Sequence, residues 1–336
     1  MDIKKLETWY QKHHRKLIFR ETKEPYHVWV SEIMLQQTQV DTVLPFFSRF
    51  IKQFPSIRDL AHASADELQK AVEGLGYYRR FRYMHQAAKV VCDQYHGVFP
   101  KTYKEVLALP GVGKYTAGAI MSIVYNKPYS ALDGNVIRVL SRYLNIDSDM
   151  RMQKHRNQLD KINQSYIENA RPYIYTQAMM ELGATICKPK NPLCESCPLN
   201  EHCIAYHENL QDQLPFLSKL KKQKELHYIT LVVKDKEFIY LYKRTEELLK
   251  DMMMYPQYES ESIRQVLDDL EEQGIELENI GHLGKYKHVF THLIWYMDVY
   301  EVRVINIKLK HHWQKIKISD VGKVAMAIAH RKIKEI

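Results

Sequence analysis

The chain lacks any apolar run long enough to span a membrane, which takes about 20 consecutive apolar residues in a helix. Its first residues, MDIKKLETWYQKHHRK, are too charged to form the apolar segment of a secretory signal. It also lacks internal repeats and low-complexity tracts. These absences argue against an integral membrane protein and a repeat array, and we expect a soluble intracellular protein.

Cysteine is scarce, with five residues in 336, and four of the five lie close together in the sequence: Cys187, Cys194, Cys197 and Cys203. Six, two and five residues separate successive members of this group. The grouping indicates a metal site and argues against a disulfide framework. Four thiolates around a small loop suit an iron–sulfur cluster. Tetrahedral zinc is the competing interpretation, but only one pair of cysteines is close, so the spacing favours the cluster. The fifth cysteine, Cys92, is expected to be a buried thiol.

Charge and composition set broad limits on size and partners. Lys and Arg outnumber Asp and Glu by 49 to 40, and the isoelectric point is about 9.0. This balance suits a polyanionic partner. Hydrophobic residues make up 45% of the 336 positions, enough to build cores for two domains.

The hydrophobic period changes once along the chain. Helical patterns dominate up to about residue 205, and strand alternation begins near residue 227. We therefore predict an all-α domain over residues 1–206, a polar linker over 207–226, and a smaller α+β domain over 227–336. The first domain should open with a basic helix over residues 1–19. In the second, HYITLVV and FIYLYKR should form an antiparallel pair, HVFTHLIWYMDVYEVRV further strand, and SIRQVLDDLEEQG and VGKVAMAIAHRKIKEI helices.

The stretch LPGVGKYTAGAI predicts two helices joined by a tight turn. Thr102 and Glu105 have capping-box spacing for the first helix, and the second should begin near Lys114. Gly111 and Gly113 let another backbone approach closely. Free N–H groups at the start of the second helix favour an anion, so the turn can bind one phosphate of a nucleic acid without reading its sequence. A plain helical corner is the alternative interpretation.

Two stretches resemble one known family. LPGVGKYTAGAI is similar to the helix-hairpin-helix, and LDGNVIRVLSR to the catalytic-aspartate segment, of the endonuclease III superfamily of DNA base-excision glycosylases. The cysteine spacing matches the [4Fe–4S] loop of that superfamily. The resemblance implies an all-α helix-hairpin-helix glycosylase domain with an iron–sulfur cluster of structural role. It also implies that Gly111, Gly113 and Lys114 bind DNA.

Glu32 is the leading candidate for a catalytic acid. It lies in VSEIMLQQTQV among apolar neighbours, where a carboxyl has a raised pKa and can protonate a purine ring nitrogen. A lone Glu on a helix is by default a surface residue. PYHVWVSEIMLQQTQV, however, resembles the adenine-specific branch of the superfamily, in which the matching glutamate is the acid. The resemblance makes Asp133 the ionised group that stabilises an oxocarbenium-like sugar, as in glycoside hydrolysis; Asp133 also suits a helix N-cap.

Position 115 separates two branches of the superfamily. Bifunctional members have a lysine there that forms a Schiff base with the sugar, whereas this chain has Tyr115. Lys114 precedes it by one residue and points about 100° away on a helix. The resemblance therefore implies an accessory role for Tyr115 and no strand-cleaving lyase step.

The resemblance also implies residues for base extrusion and for the base pocket. The extrusion positions are Gln37 in LQQTQ and Tyr77 in GLGYY, and Thr38 is a further DNA-binding position. The adenine pocket positions are Arg20 and Gln177. From the pattern alone, a core aromatic is the preferred interpretation of Tyr77.

Basic residues in the cysteine loop form another candidate contact with DNA. Lys188 follows Cys187 directly, Lys190 lies two residues further on, and both can contact phosphates. A solvated basic loop is the alternative.

The second domain resembles the C-terminal domain of the adenine-specific branch of the superfamily, which is related to Nudix hydrolases, and its Nudix box is degenerate. Five positions fit the box, namely Glu259, Glu271, Glu272, Gly274 and Ile275, and four depart from it, namely Met253, Leu267, Asp268 and Asp269. Nucleotide hydrolysis is therefore not expected. The resemblance instead implies that the loop Phe290, Thr291 and His292 reads 8-oxoguanine; a strand with polar alternation is the alternative.

Together these features predict a monofunctional glycosylase that removes adenine mispaired with 8-oxoguanine or guanine in double-stranded DNA. We expect a monomer, with no membrane partner, in the bacterial cytoplasm and at the nucleoid. The rivals are an endonuclease III-like glycosylase and lyase acting on oxidised pyrimidines, a DNA-binding protein with a cluster but no activity, and a Nudix pyrophosphatase.

Overall fold

The structure is a computed structural model that describes residues 1–219, 222–307 and 312–333. It divides into two compact units. The first comprises Met1–His62 and Tyr83–Lys219, and the second comprises Ala63–Arg82 with the described residues beyond position 221. The predicted linker and second domain extend over residues 220, 221, 308–311 and 334–336, which lie outside the described residues. Within the described part of the chain no helix is long and apolar enough to cross a membrane.

The helices before residue 208 are short, as the pattern predicts. They are α1 (Ile3–His13), α2 (Pro25–Leu35), α3 (Val40–Gln53), α4 (Ile57–His62), α5 (Ala65–Ala71), α6 (Arg79–Tyr95), α7 (Tyr103–Ala108), α8 (Lys114–Ile123), α9 (Gly134–Tyr143), α10 (Gln153–Ile167), α11 (Pro172–Thr185) and α12 (Ile204–His207). Among them α5 belongs to the second unit, and α6 runs from the second unit into the first. Short 3₁₀ turns lie at Ile18–Arg20, Cys194–Ser196 and Asn200–His202.

Local sequence signals place several helix ends correctly. Thr102 and Glu105 form the predicted capping box at the start of α7, and Ser64 and Glu67 form another at α5. The helix predicted over residues 1–19 is too long, because α1 ends at His13. His14 is extended, and the backbone N–H of Arg15 donates to a side chain on α11 instead of continuing the helix.

Two apolar clusters organise the first unit. The larger joins α1, α9, α10 and α11 through buried side chains that include Leu6, Leu140, Leu159 and Leu182. A smaller one packs α2 against α8 through Val28, Ala119 and Ile123. These clusters fix the helices that carry the predicted catalytic residues.

The second unit contains a seven-stranded sheet. Its strands are β1 (Lys224–Asp235), β2 (Phe238–Lys243), β3 (Met253–Met254), β4 (Gln257–Glu259), β5 (Ile275–Val289), β6 (Leu293–Ile307) and β7 (Trp313–Lys317). The main order is β3-β2-β1-β6-β5, with β4 paired to β1 and β7 paired to β2. β1 and β6 are parallel, and β5 and β6 form an antiparallel hairpin. Helix α13 (Ile263–Glu272) covers one face through Val266 and Leu270.

Three sequence predictions for this unit have different outcomes. The antiparallel β1–β2 pair and α13 are confirmed. The helix predicted over VGKVAMAIAHRKIKEI is wrong for its described residues, which form a 3₁₀ turn (Ile318–Lys323) and a four-residue helix, α14 (Ile328–Arg331). Between them, Ala325 and Ala327 bond to the backbone of Met253 in β3, so sheet hydrogen bonds replace helical ones.

Candidate active site

A cavity of about 470 Å³ in the first unit collects most of the predicted active-site residues. Its lining includes Arg20, Glu32, Thr38, Tyr115, Asp133 and Gln177. Four of these side chains come from α2, α8, α11 and the start of α9, and the two apolar clusters hold these helices in place. Arg20 ends a 3₁₀ turn, and Thr38 lies between α2 and α3. No lysine is among the described residues that line it; Lys114 is exposed, away from the cavity.

Glu32 has the electrostatic environment of an acid that stays protonated near neutrality. It lies on α2 with only 6% of its surface exposed. Burial raises the pKa of Glu32 to about 7; the hydrogen bond from Tyr115 lowers this pKa and the charge of Asp133 raises it. A carboxyl with this pKa can donate a proton at physiological pH.

Tyr115 projects from the first turn of α8 into the same cavity. Its hydroxyl donates a hydrogen bond to Oε2 of Glu32. Burial, together with the charges of Glu32 and Asp133, raises the pKa of Tyr115 well above its usual value. The phenol is therefore neutral and serves as a hydrogen-bond donor.

Asp133 is the N-cap of α9, and it also faces the cavity. Its Oδ1 accepts from the backbone N–H of Val136 at 2.7 Å, and its Oδ2 accepts from the side-chain amide of Asn135 at 2.8 Å. Burial raises the pKa of Asp133, and these two hydrogen bonds oppose the rise because they favour the ionised form. Asp133 therefore both caps the N-terminus of α9 and lines the cavity.

A chain of hydrogen bonds links Asp133 to the cysteine loop. Asn135, which contacts Asp133, accepts from the guanidinium of Arg138 at 2.9 Å. Arg138 also donates to the carbonyl oxygens of Cys187 and Gly183, both at 2.7 Å. The absence of a side chain at Gly183 lets α11 approach α9 closely at Asn135, because a Cβ at Gly183 would lie 2.5 Å from the Cβ of Asn135.

A buried carboxylate organises the arginines beside the cavity. Glu181 on α11 is fully buried and accepts from Arg15 at 2.8 Å and from Arg20 at 2.8 Å. Burial alone would raise the pKa of Glu181, but the hydrogen bonds and charges of the two arginines lower it to about 2. Arg20, predicted to line the base pocket, is therefore held by an ionised partner.

The helix-hairpin-helix has the geometry that its glycines predict. Gly111 has φ +74°, and a Cβ there would lie 2.4 Å from the Cβ of Tyr83. Gly113 caps α8 without a side-chain hydrogen bond, and a Cβ at Gly113 would meet open space. The first N–H groups of α8 and the exposed Lys114 lie beside that space, an arrangement that suits one phosphate.

Gln37 and Tyr77 share an uncommon backbone conformation. Gln37 has φ 57° and Tyr77 has φ 47°, values that are rare outside glycine. Gln37 is exposed, and 52% of the Tyr77 surface is exposed, so the core interpretation of Tyr77 is wrong. Thr38 follows Gln37 and lines the cavity. Strained backbone of this kind is concentrated at functional sites.

The four grouped cysteines line one cavity, as the spacing predicts. Burial raises the pKa of the Cys197 thiol to about 12, so metal binding has to drive its deprotonation. The donor set therefore fits an iron–sulfur cluster. The fifth cysteine, Cys92, is half-buried.

Arg142 on α9 braces this loop. Its guanidinium donates to Cys187 Sγ at 3.4 Å and to the carbonyl oxygens of Lys188 and Pro189 at 2.7 and 3.1 Å. Lys190 is exposed and Lys188 is half-buried. The loop therefore has a fixed start and a basic outer surface.

The predicted lesion loop is the tip of the β5–β6 hairpin in the second unit. Phe290 packs edge-on against Trp295 and His288, with ring centroids 4.8 and 4.5 Å away. Thr291 and His292 are exposed. One aromatic residue thus anchors the tip, and two polar side chains are available for binding.

Three family profiles match this chain. The HhH-GPD superfamily base excision DNA repair protein profile matches residues 30–164. The iron-sulfur binding domain of endonuclease III matches residues 187–203, and the NUDIX domain matches residues 228–335. The second of these begins and ends at the outermost cysteines of the loop.

Relatives of known name extend the likeness over most of the chain. The adenine DNA glycosylase of Buchnera aphidicola subsp. Baizongia pistaciae is 36% identical over 303 residues, which is 86% of this chain and 82% of the relative. The chain belongs to the adenine DNA glycosylase family. The mouse adenine DNA glycosylase is 41% identical over 219 residues, covering 62% of this chain and 42% of the relative.

Solved structures support the fold of the helical part of this adenine DNA glycosylase. A thermostable thymine-DNA glycosylase is 26% identical with a TM-score of 0.56, covering 61% of this chain and 95% of that one. A non-covalent endonuclease III–DNA complex is 21% identical with a TM-score of 0.52, covering 62% and 95%. At that identity the second likeness concerns the fold alone.

The family assignment confirms several predictions. This adenine DNA glycosylase is an enzyme of base-excision repair that acts on DNA. It binds a [4Fe–4S] cluster. Its second part is a Nudix domain.

Several residues of the adenine DNA glycosylase site were missed by sequence reasoning. They are Arg15, Asn135, Arg138, Arg142 and Glu181. The spacing of Asn135 and Arg138 on one helix gave a weak signal for their contact. The sequence contains no local signal for the contacts of Glu181, because its partners lie 166 and 161 residues away.

Proposed function

We propose that this glycosylase removes adenine mispaired with 8-oxoguanine or guanine by hydrolysing the N-glycosidic bond, without cleaving the strand. The observation that carries the proposal is the buried Glu32, whose pKa is about 7, in one cavity with Asp133 and Tyr115. Two carboxyls in different environments suit an acid and an electrostatic partner.

The proposed reaction uses these groups in sequence. Glu32 donates its proton to a ring nitrogen of adenine, and the C1′–N9 bond breaks with the electron pair leaving on the base. Ionised Asp133 stabilises the positive charge that develops on the sugar. Water then adds to C1′ and loses a proton to Glu32, which restores the acid.

Tyr115 supports Glu32 in this scheme. Its neutral hydroxyl orients the carboxyl through a hydrogen bond. A Schiff-base step needs an amine in the cavity, and the described lining residues include no lysine. This supports hydrolysis without a lyase step, against the endonuclease III-like alternative.

Recognition of the duplex is assigned to surrounding residues. Gly111, Gly113 and Lys114 bind one phosphate, and Lys188 with Lys190 binds others. Gln37 and Tyr77 fill the space that the extruded adenine leaves, and Thr38 is a further DNA contact. Arg20 and Gln177 line the adenine pocket. We propose that the enzyme acts as a monomer at the nucleoid.

The cluster is assigned a structural role. We propose that Cys187, Cys194, Cys197 and Cys203 hold it. When bound, it supplies a rigid cross-link among these four thiolates. It keeps the basic loop next to α9, which carries Arg138 and Arg142.

The loop of Phe290, Thr291 and His292 is proposed to read 8-oxoguanine. This base differs from guanine by an N–H donor at N7 and a carbonyl at C8. A hydroxyl such as that of Thr291 can accept from the N–H, whereas at guanine it meets an acceptor.

One assay tests the substrate and the reaction together. The protein is incubated with duplexes that carry adenine opposite 8-oxoguanine, adenine opposite guanine, or an oxidised pyrimidine, and strand breaks are measured before and after alkali. Breaks only after alkali at the mispaired adenine support the proposal. Breaks without alkali at an oxidised pyrimidine favour the glycosylase and lyase, and tight binding without any base release favours the inactive DNA-binding protein.

A further inference from the structure

One stretch of the helical sequence belongs to the same compact unit as the lesion loop. Ala63–Arg82 falls in the second unit, and it carries α5 and the turn that presents Tyr77. The proposed function assigns Tyr77 to base extrusion and residues 290–292 to lesion reading. Two recognition elements that are distant in sequence therefore share one structural unit.

Lys70 in the last turn of α5 connects this segment to residues 322–324 through hydrogen bonds. Its ammonium donates to the carbonyl oxygens of Gly322 and Val324, at 2.6 and 3.2 Å. It also donates to Oε2 of Glu73 at 2.7 Å. All three donor positions of the ammonium thus have partners within the described residues.

Glu73 completes the attachment. Its side chain is 8% exposed, and its Oε1 accepts from the backbone N–H of Met326 at 2.9 Å. The guanidinium of Arg331 lies 3.7 Å from the same oxygen. A buried carboxylate with charged and backbone donors makes strong hydrogen bonds. Removing it takes the acceptor from the N–H of Met326 and one of three partners from the ammonium of Lys70.

The segment that Lys70 and Glu73 contact is itself hydrogen-bonded to the sheet. The N–H of Met253 in β3 donates to Ala325 at 2.9 Å, and the N–H of Ala327 donates to Met253 at 3.0 Å. In the main strand order β3 is one edge and β5 is the other, and β5 forms a hairpin with β6. The hairpin carries residues 290–292 at its tip, so hydrogen-bonded structure runs from Glu73 to the lesion loop.

The attachment lies directly beside the turn that presents Tyr77. Gly74 follows Glu73 with φ 103°, and its N–H donates to the hydroxyl of the buried Tyr78 at 3.0 Å. Tyr77 itself stays half exposed. In the ion pair of Lys243 with Asp66 the carboxylate is 76% exposed, so this pair contributes little, whereas the carboxylate of Glu73 is buried.

We propose that Lys70 and Glu73 form a latch that holds the Tyr77 turn on the lesion-reading sheet, so that both elements engage the duplex together. These are positioning residues, and the proposal rests on the proposed function. Because the Tyr77 turn and the loop of residues 290–292 are already held in one unit, binding does not have to pay the entropy cost of ordering one relative to the other. Breaking the latch therefore weakens the preference for 8-oxoguanine over guanine opposite adenine.

The test is single-turnover excision on both duplexes with full-length protein. Lys70→Met and Glu73→Leu each break the latch, whereas Glu73→Gln keeps an oxygen that can accept from Met326. We expect the two breaking variants to lose roughly 2- to 30-fold of the preference and Glu73→Gln to keep most of it. Lys234→Met is the matched control, because its ion pair with Glu301 lies in the same sheet, away from the segment, and its preference should equal that of the wild type.

A second background separates a latch from general loosening. In Tyr77→Ala protein the breaking substitutions should change the preference by less than about twofold, because the element they position is already absent. A full preference in both breaking variants overturns the latch, as does an equal loss in the Tyr77→Ala background. A wild-type enzyme without any preference instead overturns the proposed function on which the latch rests.

Discussion

The hydroxyl of Tyr115 donates a hydrogen bond to the buried carboxyl of Glu32. The aromatic side chain occupies the position at which bifunctional glycosylases are expected to have a lysine. It also lowers the pKa of its partner, since the hydrogen bond favours the charged carboxylate. One residue is thus proposed both to orient the acid and to exclude a lyase step.

Tyr115→Phe should move the pH dependence of adenine excision. The protonated form of Glu32 and the ionised form of Asp133 are the active ones. The single-turnover rate of the wild type should therefore fall on the acid side as Asp133 is protonated, and on the alkaline side as pH rises through about 7. Loss of the hydrogen bond raises the pKa of Glu32, and the descending limb should shift to higher pH. Tyr125→Phe is the control, because Tyr125 bonds to backbone oxygens outside the cavity. If the descending limb of Tyr115→Phe lies at the wild-type pH, the hydroxyl of Tyr115 does not influence the pKa of the catalytic acid.

Tyr115→Lys should allow a covalent adduct that the wild type does not form. The cavity of the wild type has no lysine among its described lining residues, so borohydride should trap little protein on DNA. An amine at position 115 enters the cavity beside Asp133, and we expect more trapped adduct. Efficient trapping by the wild type, whichever lysine forms the adduct, would contradict the hydrolytic mechanism.

Glu181→Gln should destabilise the fold and weaken adenine binding. The carboxylate bonds to Arg15 and Arg20, and we expect a loss of roughly 1.5–3 kcal/mol in the free energy of unfolding at pH 7. In the folded protein the pKa of Glu181 is lowered to about 2. The carboxylate therefore adds its full stabilisation at pH values above its pKa in the unfolded chain, and this stabilisation is lost as pH falls toward 2. Denaturant unfolding of wild type and variant at pH 7 and pH 3.5 should show a smaller difference at the lower pH. A difference that grows on acidification would be inconsistent with an ionised Glu181.

Thr291→Val should reduce lesion preference while leaving excision opposite guanine nearly unchanged. The substitution keeps the shape of the side chain and removes the hydroxyl proposed to accept from the N7–H of 8-oxoguanine. A hydrogen bond at a desolvated site contributes about 1–3 kcal/mol, which corresponds to roughly 5- to 150-fold in the ratio of excision rates. Thr230→Val, on a buried strand position of the same unit, is the control. Equal ratios for Thr291→Val and wild type would remove Thr291 from lesion reading.

Local rules made much of the helical part predictable. Capping boxes, a glycine turn and an N-cap depend on residues three or four positions apart, so Thr102, Gly111 and Asp133 could be placed from the sequence. The contact of Glu181 with Arg15 could not, because tertiary packing of α1 against α11 brings these residues together. The same packing ended α1 earlier than its apolar pattern indicated.

The second part was less predictable because its strands carry mixed signals. β5 has an irregular pattern of burial, and three register shifts interrupt its pairing with β6, so no simple alternation marks it. The wrong helix near the C-terminus contains good helix formers, but Ala325 and Ala327 bond to β3. Nothing in the sequence of Ala63–Arg82 indicated its place in the second unit.

The most direct test of the account is single-turnover excision of adenine opposite 8-oxoguanine by Glu32→Gln, beside a binding measurement on the same duplex. The amide keeps the shape of the carboxyl and removes its proton. We predict that binding stays near the wild-type value while the excision rate falls by roughly 10²- to 10⁴-fold, with no remaining descending limb near pH 7. A variant that excises adenine at nearly the wild-type rate would contradict the assignment of Glu32 as the acid and, with it, the proposed mechanism.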